Sequence, residues 1–204
     1  SGLYVRAAID KIDFPGTDPA VRAHWAHLAS ERGPGALHAE LRVRDPVAAD
    51  RISSGNTRRL VRALEVIDLT GRPFSASLPS FDYWRPTRQI GVSADPEALD
   101  RVIGQRAADM IARGLVREVY ELERLGLRQG RTASRAIGYA QALAVIDGRI
   151  SETEATDQIA LATRQLARRQ RKWFRRDPRI AWIDGGRGAL DAAVGVLRAQ
   201  GVPL

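Results

Sequence analysis

From Arg164 to Arg179 the chain reads RQLARRQRKWFRRDPR, eight basic residues and one acidic in sixteen positions. At helical spacing Arg164, Arg168, Arg171 and Arg175 fall on one stripe about 16 Å long, with Ile159, Ala162, Leu166 and Trp173 opposite. A cationic row without interleaved acid repels itself, so it suits a nucleic-acid backbone or another phosphate ligand; a solvated basic face is the plainer alternative. A second basic group, Arg58, Arg59 and Arg62, faces away from Leu60, Leu64 and Ile67, and Glu65 can pair with Arg62. Arg106 stands three residues after Ile103 and four before Met110, on what reads as an apolar stripe. Either it snorkels at the edge of that stripe or it points into a cleft toward an anionic substrate.

Other chemistry has little support. His24 and His27 are three apart and His38 is the remaining histidine, so the spacing contains no HExxH or comparable metal set. With no cysteine there is neither a disulfide framework nor a thiolate metal site. No GxSxG or Walker A loop occurs within these residues.

The elements that must position these groups follow from composition and punctuation. The 204 residues carry 32 basic and 24 acidic side chains, net +8, with 44% apolar residues, enough for a core. The longest stretch without a charge, Ala136 to Ile146, is far short of the ~20 residues of a membrane span, so no membrane association and a cytoplasmic location are expected. Met110 is the sole methionine, and residues preceding Ser1 are therefore expected. Two breaker-rich stretches, residues 12–19 and Pro73 to Pro86, bracket a helical module. Inside it Asp18-Pro19 and Asp45-Pro46 read as helix starts, and Asn56 or Thr57 caps a helix over Arg58 to Asp68 closed by Gly71. Beyond Pro86, Gln89 to Ser93 and Arg179 to Asp184 read as short strands, too few for a stable sheet alone and expected to belong to a larger α/β sheet. Asp95-Pro96 starts one helix, Ser134 is expected to cap another through Val145, and Ser151-Glu-Thr-Glu154 is a capping box leading into the Arg-rich run.

Several segments, in order and along essentially the whole chain, resemble the tRNA dimethylallyltransferases (tRNA isopentenyltransferases). Ser1-Gly-Leu-Tyr4 is similar to the end of the family's GG-(T/S)-x-LY element. Asp45-Pro-Val-Ala-Ala-Asp-Arg-Ile52, Arg58-Arg-Leu-Val-Arg-Ala-Leu-Glu-Val66 and Thr70-Gly-Arg-Pro73 resemble its DP-x-A-A-x-x-I, R-(A)LEV and TG-(K/R)-P run. Arg135-Ala-Ile-Gly-Tyr139, the stretch Ala162 to Gln170 (ATRQLARRQ) and Trp173 resemble its IGY and ATRQ-x-A-(K/R)-RQ-x-x-W elements.

That resemblance implies transfer of a dimethylallyl group from dimethylallyl diphosphate to N6 of the adenosine 3′ to the anticodon in tRNA. The implied fold class is α/β, a P-loop NTPase-like core whose N-terminal part precedes Ser1, so the chain as given is mostly helical. An inserted helical module that grips the anticodon stem-loop would occupy residues 15–86, with core at 1–14 and 87–204. By matching position, Arg106 is implied to polarise the diphosphate. Ser1 and Arg22, the run Arg58, Arg59, Leu60, Val61 and Arg62, and Arg135, Ala136, Ile137, Gly138, Tyr139 and Ala140 are implied to contact tRNA. So are Arg164 and Arg168 through Arg175, including Arg169, Gln170, Arg171 and Lys172. The family's phosphate loop, base aspartate and most Mg2+ contacts are implied to lie before Ser1, so these residues alone are expected to hold no metal and not to turn over. A monomer is implied. Where the family has an Asp before the R-(A)LEV helix, this chain has Asn56-Thr57. A non-catalytic RNA-binding module, or prenylation of free adenine nucleotides, are the competing readings.

Overall fold

Five helices start where a short polar side chain can take the backbone amides that no earlier carbonyl reaches. In the computed structural model, which describes residues 2–12, 14–77, 81–130 and 132–201, Asp18 accepts from Ala20 N at 2.7 Å and opens α2 (Pro19–Arg44). Asp45 accepts from Ala48 N and opens α3 (Pro46–Arg51), and Asn56 accepts from Arg59 N and opens α4 (Thr57–Thr70). Asp95 opens α5 (Pro96–Ala112), and the reciprocal Ser151–Glu154 box opens α8 (Glu152–Phe174). The order is completed by α1 (Gly2–Ile9), β1 (Gln89–Ser93), α6 (Leu115–Arg124), α7 (Tyr139–Ile146), β2 (Ile180–Asp184) and α9 (Ala189–Ala199).

The chain divides into two compact units, residues 3–87 and residues 1–2 with 88–204. The smaller unit is helical. Apolar residues at helical spacing on α2, α3 and α4 (Trp25, Ala29, Leu37, Leu41, Ala48, Leu60, Ala63 and Leu64 among them) bury one another in a single core. α2 is bent within its length: Gly33 takes φ 76°, ψ 164°, outside the helical region, immediately before Pro34. Glycine supplies that positive φ without a Cβ clash, and proline has no N–H to leave unpaired where the ladder breaks.

In the larger unit α5, α6, α7 and α8 share a second core around Ile103, Ala107, Val119, Ala142, Leu143 and Ile159. Both expected strands form. They pair in parallel with each other, Gln89 opposite Ile180 through Ser93 opposite Asp184, and they are the only strands among the described residues. Gly91 lies opposite Trp182, and a Cβ there would come within 2.7 Å of the indole, so only glycine lets the two strands close at this rung. The result is a mostly helical α/β chain. One expected helix start moves. Ser134 sits in a 3-10 turn (Ala133–Arg135) with its hydroxyl on the Gly130 carbonyl, Ala136 is extended, and α7 begins only after Gly138.

Two carboxylates are enclosed in the smaller core. Asp45, besides taking Ala48 N, accepts from Ser75 N at 2.7 Å and the Ser75 hydroxyl at 2.9 Å, tying the turn after α4 to the start of α3. Burial opposes its charge, but the Ser75 and Ala48 amides and the Ser75 hydroxyl overcome this and hold its pKa below the ordinary 3.8. Glu65 on α4 is likewise held below 4.5: burial again opposes the charge, and Arg62, Arg22 and the Asp18 amide outweigh it. Lowered folded-state values mean that both groups contribute stability in full above their unfolded pKa and lose it as pH falls through the folded one. Urea midpoints of the smaller unit should therefore hold steady from pH 7 to about pH 5 and fall progressively below that. Asp45→Ala should cost about 2–3 kcal/mol at pH 7, the lost cap plus stranded donors, measured by urea denaturation.

Candidate nucleic-acid interface

The Arg-rich helix forms as its capping box and spacing require, but its charges fall into two groups. Asp100, on α5, takes the first two arginines of the stripe: Arg164 Nη2 donates to the Asp100 carbonyl at 3.3 Å and Arg168 Nη2 to its carboxylate at 3.4 Å. Arg179 closes a bidentate fork on the buried Asp177, at 2.9 and 2.6 Å, and this fork holds the Asp177 carboxyl below its usual range. Arg169, Arg171, Lys172 and Arg176 are exposed and have no ion-pair partner among the described residues; Arg175 is exposed and faces the Trp182 ring at 5.9 Å. The free part of the ridge is thus its C-terminal half. There the apolar face expected to be buried is itself partly open: Ile159 is buried, but Leu166 and Trp173 stand 38% and 41% exposed. The core formed by α5, α6 and α7 ends before the helix does.

Arg106 does not lie on the core-facing line of α5. Ile103 and Ala107 are buried, with Met110 and Ile111 partly so, whereas Leu99, Val102 and Arg106 run along the neighbouring face and are exposed. The sequence merges two adjacent lines into one stripe because an apolar Leu99 and Val102 look like core. Arg106 is open to solvent with no hydrogen-bond or ion-pair partner among the described residues, so its charge is available to an anion.

In the 58–62 segment only Arg58 and Arg59 present free guanidinium groups. Leu60 and Val61, expected at an RNA surface, are core residues, because helical period turns two of the five positions inward. Arg62 is spent internally: its guanidinium donates to the Pro15 and Gly16 carbonyls and to Glu65. Arg22, half exposed, pairs with the same Glu65.

The 135–140 segment makes a short turn and the start of α7. Arg135 and Ala136 are exposed, Ile137, Tyr139 and Ala140 are half-buried, and Gly138 is buried with φ +99°. The Met110 and Leu115 side chains close over Gly138, so a side chain there would be both strained and crowded. Tyr139 donates its hydroxyl proton to Glu118 at 2.5 Å, which pushes its pKa up. Gln170 is exposed on α8. Ser1 lies outside the described residues.

Two features lie outside the residues that charge and spacing single out. Asp100 engages half of the stripe, Arg164 and Arg168, from a helix 64 residues away, and no local pattern signals such a pair. Arg85 stacks on Trp84 with its carbon 3.5 Å from the ring centroid, and Trp84 is anchored by its indole N–H on the Ala8 carbonyl. The adjacent Trp-Arg dipeptide ahead of Pro86 is the one signal that points to it. No group of three or more His, Asp or Glu that could hold a metal occurs among the described residues, and no helix among them is long and apolar enough to cross a membrane.

The IPP transferase family model matches residues 1–177. A tRNA dimethylallyltransferase of Kineococcus radiotolerans is 56% identical over 199 residues, covering 97% of this chain and 63% of that protein. Another, from Salinispora arenicola, is 52% identical over 200 residues, covering 98% and 58%. The chain thus spans about three fifths of the length of the curated relatives it matches. The crystal structure of a tRNA isopentenylpyrophosphate transferase from Bacillus halodurans aligns with a TM-score of 0.58 at 29% identity, over 99% of this chain and 64% of that one. A eukaryotic dimethylallyltransferase described as acting on tRNA aligns with a TM-score of 0.78 at 19% identity, over 100% and 56%, a likeness of fold alone.

The division of charge within α8 is open to measurement. Reversing Arg171 and Arg175 together to Glu should weaken binding of an RNA hairpin at least about tenfold. It should also flatten the slope of log K against log salt by about one for each phosphate no longer neutralised. Arg164→Gln, already paired to Asp100, should change that slope much less. Fluorescence-anisotropy titrations over a salt series would show both.

Proposed function

The chain belongs to the IPP transferase family, and on that premise we propose that it is the RNA-gripping and leaving-group-stabilising portion of a tRNA dimethylallyltransferase. One observation carries this reading: the C-terminal half of the α8 row keeps its positive charge free of acidic partners among the described residues, as a phosphate-backbone contact needs. The relatives' names and the order of the family motifs support the same assignment.

The reaction forms a bond between adenine N6 and the allylic C1 of dimethylallyl diphosphate. The C1–O bond breaks, its electron pair leaves on the diphosphate, and N6 gives up one proton to a base. Arg106 is assigned to the leaving group: an unpaired guanidinium offers several N–H donors to the oxygens on which negative charge grows. Adenine in a stacked loop is closed to this attack, so the base must be held out of its stack. Arg22, Arg58, Arg59, Arg135, the α8 cations Arg169, Arg171 and Lys172, and Arg175 just beyond the helix are assigned to the phosphates of the anticodon stem-loop, with residues 15–86 as the inserted gripping module on a P-loop-type core. The core would act as a monomer in the cytoplasm. The described residues offer no cluster that fits Mg2+.

In an enzyme extending over the full length of its relatives, transfer of labelled dimethylallyl from its diphosphate to an anticodon stem-loop is the direct test. AMP should be a poor acceptor, and efficient AMP prenylation would overturn the choice of substrate. Arg106→Ala should lower kcat by about 10²–10³-fold, the usual loss of one donor to a developing anion, with stem-loop affinity unmoved.

A further inference from the structure

We infer that Glu65 is a positioning residue that holds the Arg22 guanidinium in place with its outer edge turned to an RNA phosphate. The inference rests on the RNA-binding reading above and concerns the smaller unit alone.

The Glu65 side chain is 0% exposed, yet it is surrounded by donors. Its Oε1 accepts from the Asp18 amide at 3.0 Å, ahead of the first turn of α2. Its Oε2 accepts from Arg22 Nε at 3.3 Å and Nη2 at 3.0 Å, and from Arg62 Nη1 at 2.9 Å. The two arginines that share this carboxylate differ in what is left over. Arg62 donates again from Nη1 to Gly16 O at 2.9 Å and from Nη2 to Pro15 O at 2.7 Å, so its fork is consumed in fastening the loop before α2 onto α4.

Arg22 has spent only the Nε–Nη2 side of its fork. Its Nη1 has no hydrogen-bond partner among the described residues, and its side chain is 50% exposed. A guanidinium held along one edge keeps the Nη1–Nη2 edge for two oxygens of a second anion, which is the bidentate geometry of phosphate recognition. Two arginines against one carboxylate leave the cluster one positive charge in excess. Holding a long flexible side chain before the ligand arrives removes part of the ordering cost of binding. Arg58 stands one turn before Arg62 on the same face of α4, exposed and unpaired among the described residues, and can supply a second phosphate contact.

A double-mutant cycle on the full chain tests this, reading anticodon stem-loop affinity over a salt series beside a thermal melt of each variant. Arg22→Gln should weaken binding about tenfold and lower the salt slope by about one. Glu65→Gln keeps the shape of the side chain but sets an amide against the two guanidinium groups, and it should give a similar loss. In the Arg22→Gln background Glu65→Gln should then cost little more in binding, although it still lowers the melting temperature. Equal and additive losses in both backgrounds would assign Glu65 a purely structural role and overturn the inference. If Glu65→Gln does not fold, Arg22→Lys decides: it retains the charge without the fork, and binding as tight as the parent's would overturn the inference. Failure of the unmodified chain to bind the stem-loop would instead remove the RNA reading on which it rests.

Discussion

Which guanidinium groups can meet an external anion depends on which carboxylates have already claimed the rest. Arginine cannot shed its proton in a protein, so each one must be paired, hydrated or bound to a ligand. In this chain a few acids do the sorting. Asp177 and Asp100 withdraw Arg179, Arg164 and Arg168 from the Arg-rich run, and Glu65 takes one edge of Arg22 and shares Arg62 with the Pro15 and Gly16 carbonyls. What remains exposed and unmatched is a smaller and better-placed set of charges than composition indicates.

The same carboxylates also serve as mechanical ties. Glu65 and Asp45 are both fully enclosed in the helical unit, and each bridges segments distant in sequence: Glu65 joins Asp18 and Arg22 to α4, and Asp45 joins the α2–α3 corner to the turn containing Ser75. A buried charge is tolerated only when its hydrogen-bonding capacity is filled, and here every oxygen of both side chains has a donor. The unit therefore has its apolar core on one side of α4 and a charged clasp on another, and the clasp is what reaches the surface as Arg22.

Local signals are legible in the sequence where one residue type governs one short stretch. Asp18, Asp45, Asn56, Asp95 and Ser151 all cap the helices they are expected to cap, and both β1 and β2 form at their expected positions. Helix faces are harder. Arg106 reads as a core-stripe residue because exposed Leu99 and Val102 mimic an inward face, and Leu60 and Val61 are swept into a basic segment by their neighbours although the helix turns them inward. The start of α7 shifts because Ser134 has good capping chemistry but spends its hydroxyl on Gly130, while a glycine opens the helix. Long-range pairing such as Asp100 with Arg164 and Arg168 has no periodic trace at all. Motif order supplies the candidate site residues that charge and spacing leave open.

The rung at Gly91 has a further consequence. With an indole lying where a methyl would otherwise stand, Trp182 is packed directly on the opposite backbone, and parting β1 from β2 would wet the ring face that now covers Gly91. With Trp25, Trp84 and Trp173 replaced, its fluorescence becomes an optical gauge of whether this narrow ribbon is zipped.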